Sequence, residues 1–157
     1  MKNNQFYSAC GLLMLGLFFT SCSGTAPSVK AISGTYLAVS ESEWSEEIDL
    51  KADGTVIVRK AEWLAGDPGS RTTHEYIGRW KLDASVVEVE LLESKGGGTV
   101  TAPNIALFRF DVRLSLEELG REERLPGLSR LDRSDEGSSI SSLAFWRKDA
   151  LKGLQWP

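Results

Sequence analysis

The sequence predicts an all-β domain, an antiparallel meander of six to eight strands that forms a small barrel or a sandwich, with at most one short helical turn. Two observations favour this fold class. Short runs of alternating apolar and polar residues recur along the chain, which is the period of a strand with one buried face. Turn residues such as Asp53-Gly54 separate these runs, so consecutive strands are expected to pair. The alternation fits a barrel and a sandwich equally well.

The first 21 residues are predicted to be a secretory signal that is removed. Met1–Ser8 carries one charged side chain, Lys2, and Ala9–Phe19 is apolar throughout. This run is too short to cross a bilayer, because a hydrocarbon core of ~30 Å needs about 20 apolar residues. A charged start, a short apolar stretch and then small residues are the layout of a secretory signal.

The end of the apolar run, Phe19-Thr20-Ser21-Cys22, resembles the lipobox of bacterial lipoproteins. The resemblance implies that the chain is cut before Cys22 and that the Cys22 thiol carries an S-diacylglyceryl group. It also implies that the new amino group of Cys22 is acylated, typically with palmitate. Two other interpretations stay open on the residues alone, namely an ordinary signal cut after Gly24 or Ala26 and an uncleaved anchor.

Cleavage before Cys22 would divide the chain into three parts. Residues 1–21 are the signal, residues 22–31 form a small, polar, lipidated tether of at most ~30 Å, and residues 32–157 form a single β domain. Cys10 leaves with the signal, so Cys22 has no partner for an intramolecular disulfide. Ser23 resembles the residue after the cysteine in lipoproteins sorted to the outer membrane. The resemblance implies a lipid anchor in the cell membrane, or in the outer membrane facing the periplasm where the bacterium has one.

The mature chain is mildly acidic. Loss of the first 21 of 157 residues leaves 136 and removes Lys2 from the 18 basic residues, so 17 basic residues stand against 22 acidic ones. This balance gives no reason to expect nucleic acid as a partner or electrostatic attraction to anionic lipid. The remaining length suits one domain, which buries about two-thirds of its surface without needing disulfides.

The hairpin Glu46–Lys60 allows two registers. A two-residue turn would place Ile48 opposite Arg59. A three-residue turn with Gly54 in the left-handed region instead gives the pairs Leu50–Val56, Ile48–Val58 and Glu47–Arg59. We expect the second register, because it forms apolar pairs on one face and an ion pair on the other.

Three further runs each have one predicted core face. These faces consist of His74, Tyr76, Gly78, Trp80 and Leu82 in the first run, Val87, Val89 and Leu91 in the second, and Ala106, Phe108, Phe110, Val112 and Leu114 in the third. Residues 141–148 are expected to be the last strand. The tail residues Leu151, Leu154 and Trp156 are expected to cover one end of the core.

Turn chemistry predicts the connections between these runs. Leu64–Ser70 is expected to be a loop turning at Asp-Pro-Gly, and Leu125–Leu128 a type II turn with proline and glycine at its centre. Residues 94–99 read as a flexible connection. Ser115–Glu118 has the spacing of a capping box and is expected to open the one helical turn.

Four short motifs of the mature domain resemble the lipocalin-like small barrels found among bacterial lipoproteins. Gly34-Thr35-Tyr36 opens the first strand, Asp53-Gly54-Thr55 lies in an early hairpin, Gly78-Arg79-Trp80 follows, and Arg147 is on the last strand. In lipocalins a Gly-x-Trp on the first strand stacks beneath an arginine from the last strand. The resemblance implies a barrel in which Tyr36 stands in the place of that tryptophan.

Residues suited to catalysis or metal binding are sparse. His74 is the single histidine, and we interpret it as a polar residue near the end of a core face. No Gly-x-Ser-x-Gly elbow occurs in the sequence. Asp132–Gly137 mimics the start of a calcium loop, but Leu143 stands where the closing glutamate belongs. We therefore expect no enzyme, no metal site and no cofactor besides the lipid on Cys22.

Two functions are compatible with this sequence. The first is a lipid-anchored, non-enzymatic interaction or scaffold module that binds another envelope protein. A group of acidic residues around Trp44 is either a solvated loop or a partner-binding edge, and it consists of Glu41, Glu43, Glu46 and Glu47. The alternative is a lipocalin-like barrel that binds a small apolar ligand among inward aromatic residues, namely Tyr36, Tyr76, Trp80, Phe108 and Phe110. Large inward side chains favour a filled interior and hence the first function.

Overall fold

A computed structural model of the chain describes residues 26–38, 44–96, 99–100, 104–117, 120–132, 139–152 and 154. The predicted signal and Cys22 lie outside these residues. The described chain forms eight strands: β1 (Gly34–Ala38), β2 (Trp44–Leu50), β3 (Thr55–Leu64), β4 (Asp67–Asp83), β5 (Val86–Lys95), β6 (Ile105–Ser115), β7 (Arg124–Arg130) and β8 (Ala144–Arg147).

The eight strands form a closed antiparallel barrel in chain order, which decides between the barrel and the sandwich. Each strand pairs with the next, and β1 pairs with β8 through Tyr36 opposite Arg147 and Leu37 opposite Trp146. Closure leaves the meander without a free first or last strand, so its backbone groups find partners within the sheet.

The helices in the described part of the chain are α1 (Val29–Ile32) and α2 (Lys148–Leu151), of four residues each. Neither of them is long and apolar enough to cross a membrane. Helix α1 includes the last three residues of the predicted tether and begins at Ser28, whose hydroxyl accepts a hydrogen bond from the Ala31 N–H. At the predicted capping box, the Ser115 hydroxyl accepts from the Glu117 N–H. Glu118 lies outside the described residues.

The predicted register of the β2–β3 hairpin is confirmed. Its pairs include Leu50–Val56, Ile48–Val58 and Glu47–Arg59. Gly54 has a φ of +86°, as the three-residue turn requires. The Asp53 carboxylate accepts a hydrogen bond from the Thr55 N–H, which stabilises the turn locally.

The prediction of a loop over Leu64–Ser70 is wrong. Strand β3 continues to Leu64, β4 begins at Asp67, and the turn is Ala65-Gly66, where Gly66 has a φ of +74°. The Asp67 carboxylate accepts from the Gly69 N–H. Pairing between β4 and β5 begins only at Glu75, so the proline after Asp67 lies in a part of β4 that has only β3 as a neighbour. Proline lacks a backbone N–H donor, and this is tolerated where a strand has a neighbour on one side only.

The prediction of a type II turn at Leu125–Leu128 is also wrong, because these residues belong to β7. Proline is tolerated there since the register between β6 and β7 shifts beside it. Gly127 is needed for packing: a Cβ at this position would lie 2.6 Å from the Phe145 carbonyl oxygen. The Pro-Gly pair therefore allows close approach of two strands.

The same register shift breaks the predicted core face of β6. Ala106 and Phe108 are buried as expected, but Val112 is 63% exposed. The shift lies between Asp111 and Leu114. A bulge of this kind reverses the alternation of side chains beyond it.

Two smaller assignments differ in extent. The first residues of the predicted flexible connection, Ser94 and Lys95, belong to β5. The predicted last strand is shorter than expected, because only Ala144–Arg147 is strand. Ser139–Ser142 lie shortly before this strand, at the end of the barrel where β8 begins. We call that end the rim and these four residues the rim strap.

Two groups of buried side chains stabilise the fold. The larger fills the barrel interior and includes Tyr36, Ile48, Val58, Tyr76, Trp80, Val87, Val89, Leu91, Phe108, Leu128, Ile140 and Phe145. The smaller consists of Leu116, Trp146 and Leu151, with Leu37, Leu114, Leu125, Ala144 and Leu154 packed against them. Leu151 and Leu154 therefore belong to the smaller group, and the prediction that they cover one end of the main core is wrong. Trp156 lies outside the described residues.

Candidate functional site

The two ends of the barrel differ in construction. Helices α1 and α2 lie at one end, which we call the base, because α1 leads directly into β1 and β8 leads directly into α2. The opposite end, the rim, carries the Ala65-Gly66 turn and the rim strap. The candidate site is built from the contacts that close these two ends.

Arg147 closes the base by binding the backbone of α1. Its Nη1 donates to the Ala31 carbonyl at 2.7 Å, and its Nη2 donates to the Ser33 carbonyl at 3.1 Å. Gly34 lies directly against the guanidinium, since a Cβ there would be 3.2 Å from Nη2. The last carbonyls of a helix lack partners within it, and Arg147 supplies the donors.

Tyr36 closes the base from within the barrel. Its side chain is fully buried, and its hydroxyl donates to the Ile32 carbonyl at 2.6 Å. Burial raises the pKa of the Tyr36 phenol to about 12, although the positive charge of Arg147 acts in the opposite direction. The motif residues at this end of the barrel are therefore neighbours, namely Gly34, Tyr36 and Arg147.

Glu46 holds the rim strap at the opposite end. It is 0% exposed, because it lies on the inward face of β2 with Ile48. Its carboxylate accepts hydrogen bonds from the backbone N–H groups of Ser141 at 3.0 Å and Ser142 at 2.9 Å. It also accepts from their hydroxyls, at 3.2 Å and 2.5 Å respectively. Four donors in all compensate the cost of burying this carboxylate.

Arg130 binds the residue of the strap that precedes these two serines. Its side chain is 1% exposed and forms an ion pair with Asp132 at 3.0 Å, while its Nη1 donates to the Ile140 carbonyl. Burial raises the pKa of the Asp132 carboxyl, but hydrogen bonds from Arg130 and the Leu107 N–H outweigh it and lower the pKa. Ile140 itself is 2% exposed and packs in the main core. The strap is thus fixed by an apolar side chain and by two buried charged side chains that bind its backbone.

The predicted acidic group around Trp44 does not form one exposed surface in the described residues. Glu46 points inward, whereas Glu47 points outward and pairs with Arg59 at 3.0 Å and with Lys148 at 2.5 Å. Trp44 is partly buried against the main core. The other two glutamates of the group, at positions 41 and 43, lie outside the described residues.

His74 lies on the inward face of β4, as predicted, opposite Lys60 of β3. Its Nδ1 is buried and has no hydrogen-bond partner among the described residues. Lys60 also lies opposite Glu46 in the ladder and forms an ion pair of 3.4 Å with Glu62. The inward position of Lys60 was missed from the sequence, although it continues the face of Val56 and Val58 in the predicted register.

The inward aromatic residues pack against one another and against aliphatic side chains. Tyr36, Tyr76, Trp80 and Phe108 are buried, and Phe110 is partly buried. The rings of Phe108 and Phe145 meet edge to face, with centroids 5.8 Å apart and an interplanar angle of 81°. The Trp80 indole N–H donates to the Lys51 carbonyl at 2.7 Å.

No group of three His, Cys, Asp or Glu side chains in the described residues is arranged to hold a metal ion. The first residue of the predicted calcium-loop mimic, Asp132, binds Arg130. Residues 133–137 of that stretch lie outside the described residues. The predicted lipid attachment site, Cys22, lies outside them as well.

No protein-family model matches this chain, and no curated protein or solved structure matches it significantly.

Proposed function

We propose that this chain is a lipid-anchored lipoprotein of the cell envelope that acts as a non-enzymatic interaction or scaffold module. The sequence Thr20-Ser21-Cys22 after a short apolar run supports the lipid anchor. The observation that supports an interaction module over a ligand carrier is the filled interior of the barrel.

The interior is packed from the base to the rim by one group of side chains. It begins at Ile32 of α1 and ends at Ile140 of the rim strap. The same group contains the edge-to-face pair of Phe108 and Phe145. A ligand of useful size would have to displace these side chains, and lost packing in a core costs about 24 cal/mol for each Å³ of cavity. A filled barrel instead offers partners its outer surface and its rim.

The position of α1 supports a defined orientation on the membrane. The tether would precede α1, and Arg147 and Tyr36 bind the carbonyl groups of this segment at the base. A lipid on Cys22 would therefore hold the base towards the membrane. The rim, with its strap, would then face a partner.

The anchor is tested by detergent partitioning of the exported protein. The wild-type protein is expected in the detergent phase, because two or three acyl chains on one cysteine bind a bilayer stably whereas one does not. Cys22→Ala, exported by an ordinary signal, is expected in the aqueous phase. Cys10→Ala is the matched control and should partition like wild type. Equal partitioning of Cys22→Ala and wild type would contradict the proposed anchor.

The choice between module and ligand carrier is tested by native mass spectrometry. The Cys22→Ala chain without its signal would be taken directly from the periplasm. A bare chain mass, together with a co-eluting protein, is the result expected of an interaction module. A constant additional small-molecule mass would favour the alternative, a barrel that binds an apolar ligand.

A further inference from the structure

We infer that the rim of the barrel is a binding site for an extended peptide segment, and that the chain's own rim strap occupies this site. The inference rests on the proposed function and names the chemistry of the partner. The ligand class is a short stretch with one branched aliphatic side chain, followed by two hydroxyl residues with free N–H groups. Ile140-Ser141-Ser142 is the built-in example.

The rim strap lies outside the β ladder. Pairing of β7 with β8 begins only at Ser129 opposite Ala144. The N–H groups of Ser141 and Ser142 therefore bind the Glu46 side chain instead of a strand backbone. Leu143, the next residue, is 60% exposed, so the chain leaves the site directly after Ser142.

Arg130 and Glu46 bind backbone groups on both sides of one peptide unit. Arg130 donates to the Ile140 carbonyl, and Glu46 accepts from the two N–H groups that follow. A buried guanidinium and a buried carboxylate are costly to desolvate unless they are fully hydrogen-bonded. Apolar residues would be enough if the strap only had to cover the rim. Arg130 and Glu46 are instead suited to bind any segment that presents a backbone carbonyl followed by two N–H groups.

The two charged residues that bind the strap lie on strands β2 and β7 and are positioned by contacts outside the strap. Arg130 is oriented by its ion pair with Asp132 at 3.0 Å, and Glu46 is placed by the β2 ladder between Ala38 and Lys60. The apolar pocket for the Ile140 side chain is part of the main core. Preorganised groups of this kind reduce the free-energy cost of binding a peptide.

Competition between the strap and a peptide tests the inference. The full chain, purified in detergent, would carry Ile140→Ala, which removes the apolar contact of the strap. The probe is a fluorescently labelled peptide of sequence Ser-Ile-Ser-Ser-Leu, measured by anisotropy. It is expected to bind this variant about tenfold or more tighter than wild type, because the tethered strap competes at an effective concentration in the millimolar range.

Two controls decide which groups recognise the peptide. A peptide with both serines replaced by proline lacks the two N–H groups and the hydroxyls, and it should not bind. Adding Glu46→Gln to Ile140→Ala should weaken binding of the serine peptide, because one carboxylate oxygen is replaced by an NH2 donor that cannot accept from the peptide. Equal binding of the two peptides, or binding that Glu46→Gln leaves unchanged, would overturn the inference. Peptide binding is measured separately from detergent partitioning and from co-elution with other proteins. A negative peptide result would therefore overturn this inference and leave the proposed function standing.

Hydrogen exchange of the wild-type protein provides a test that needs no variant. If the strap is an exchangeable occupant, the amides of Ser141 and Ser142 exchange through local opening, at a lower free energy than the ladder amide of Val58. Exchange of these serine amides only through global unfolding would overturn the inference.

Discussion

The Glu46 carboxylate accepts hydrogen bonds from the Ser142 hydroxyl at 2.5 Å and from its backbone N–H at 2.9 Å, across 96 positions of the sequence. Both residues are buried. This contact joins the second strand to the segment before the last strand, at the end of the barrel opposite the helices. It fixes a rim connection in which Ile140 enters the main core.

We predict that Glu46→Ala lowers the free energy of unfolding by about 3 kcal/mol, because it leaves the two buried donors of Ser142 without an acceptor. Glu46→Gln should cost less, since its carbonyl oxygen still accepts. Urea unfolding measures both. Glu122→Ala is the matched control on an exposed glutamate, and it should change stability by no more than about 0.5 kcal/mol. A cost for Glu46→Ala as small as that of the control would contradict the prediction.

The raised pKa of Tyr36, about 12, predicts loss of stability in alkaline solution. The neutral phenol is favoured in the fold, so its contribution is fully present below pH 10 and declines as the pH rises towards 12. The free energy of unfolding should fall by up to about 1.4 kcal/mol per pH unit in this window. Tyr36→Phe should lose about 1 kcal/mol at pH 8 with the hydrogen bond to Ile32. It should also show a shallower alkaline decline than wild type in urea unfolding, and an equal decline would refute this assignment.

We predict that Gly78→Ala destabilises the protein by about 3 kcal/mol, because a Cβ there would lie 1.9 Å from the Glu90 carbonyl oxygen. The atoms it would meet belong to the backbone of β5 and have little room to move. Gly66→Ala is the control: its φ is +74° and no atom lies within 4 Å of an added Cβ. That variant should cost only about 1 kcal/mol, from backbone strain alone. Thermal unfolding that ranks the two variants in the reverse order would contradict the packing argument.

Loss of the Arg147 guanidinium should release α1 from the base. Arg147→Met removes two charge-assisted hydrogen bonds to the carbonyls of Ala31 and Ser33, and we expect about 2 kcal/mol of lost stability. The Ser33 N–H, which donates to Val29, should exchange with solvent faster in this variant. Arg79→Met, on an exposed side chain of β4, is the control. Unchanged exchange at Ser33 in Arg147→Met would contradict the prediction and would assign the holding of α1 to the Tyr36 hydrogen bond and to the buried Ile32 side chain.

Much of the fold could be predicted from local pattern. The register of the β2–β3 hairpin followed from matching apolar pairs and one ion pair, since a slip by one residue would turn Ile48 and Leu50 outward. The core face from His74 to Leu82 and that of β5 followed from simple alternation. Predictions failed where a bulge reversed the alternation, as at Val112. They also failed where turn residues served another purpose, as at Gly127, which permits close packing of β7 against Leu114 and Phe145.

The candidate site was predicted less well, because its decisive contacts join residues far apart in the chain. Glu46 was grouped with its acidic neighbours by sequence, yet its partners are Ser141 and Ser142. Arg130 carried no signal of burial in the sequence, since a charged residue in a strand is usually exposed. The meeting of Gly34, Tyr36 and Arg147 was the one long-range contact that a short motif indicated.

The sequence by itself determined the strand class, the order of the strands and the hairpin register, because these depend on side-chain period and turn chemistry over a few residues. It also determined that the chain has two cysteines, Cys10 and Cys22, so that the predicted cleavage would leave Cys22 without a disulfide partner. Only the tertiary structure decided that the sheet closes as a barrel, and that the buried side chains of Tyr36 and Glu46 bind α1 and the rim strap at opposite ends. Closure and the Glu46 contact join β1 to β8 and β2 to the strap, and local periodicity carries no information about residues about 100 positions apart.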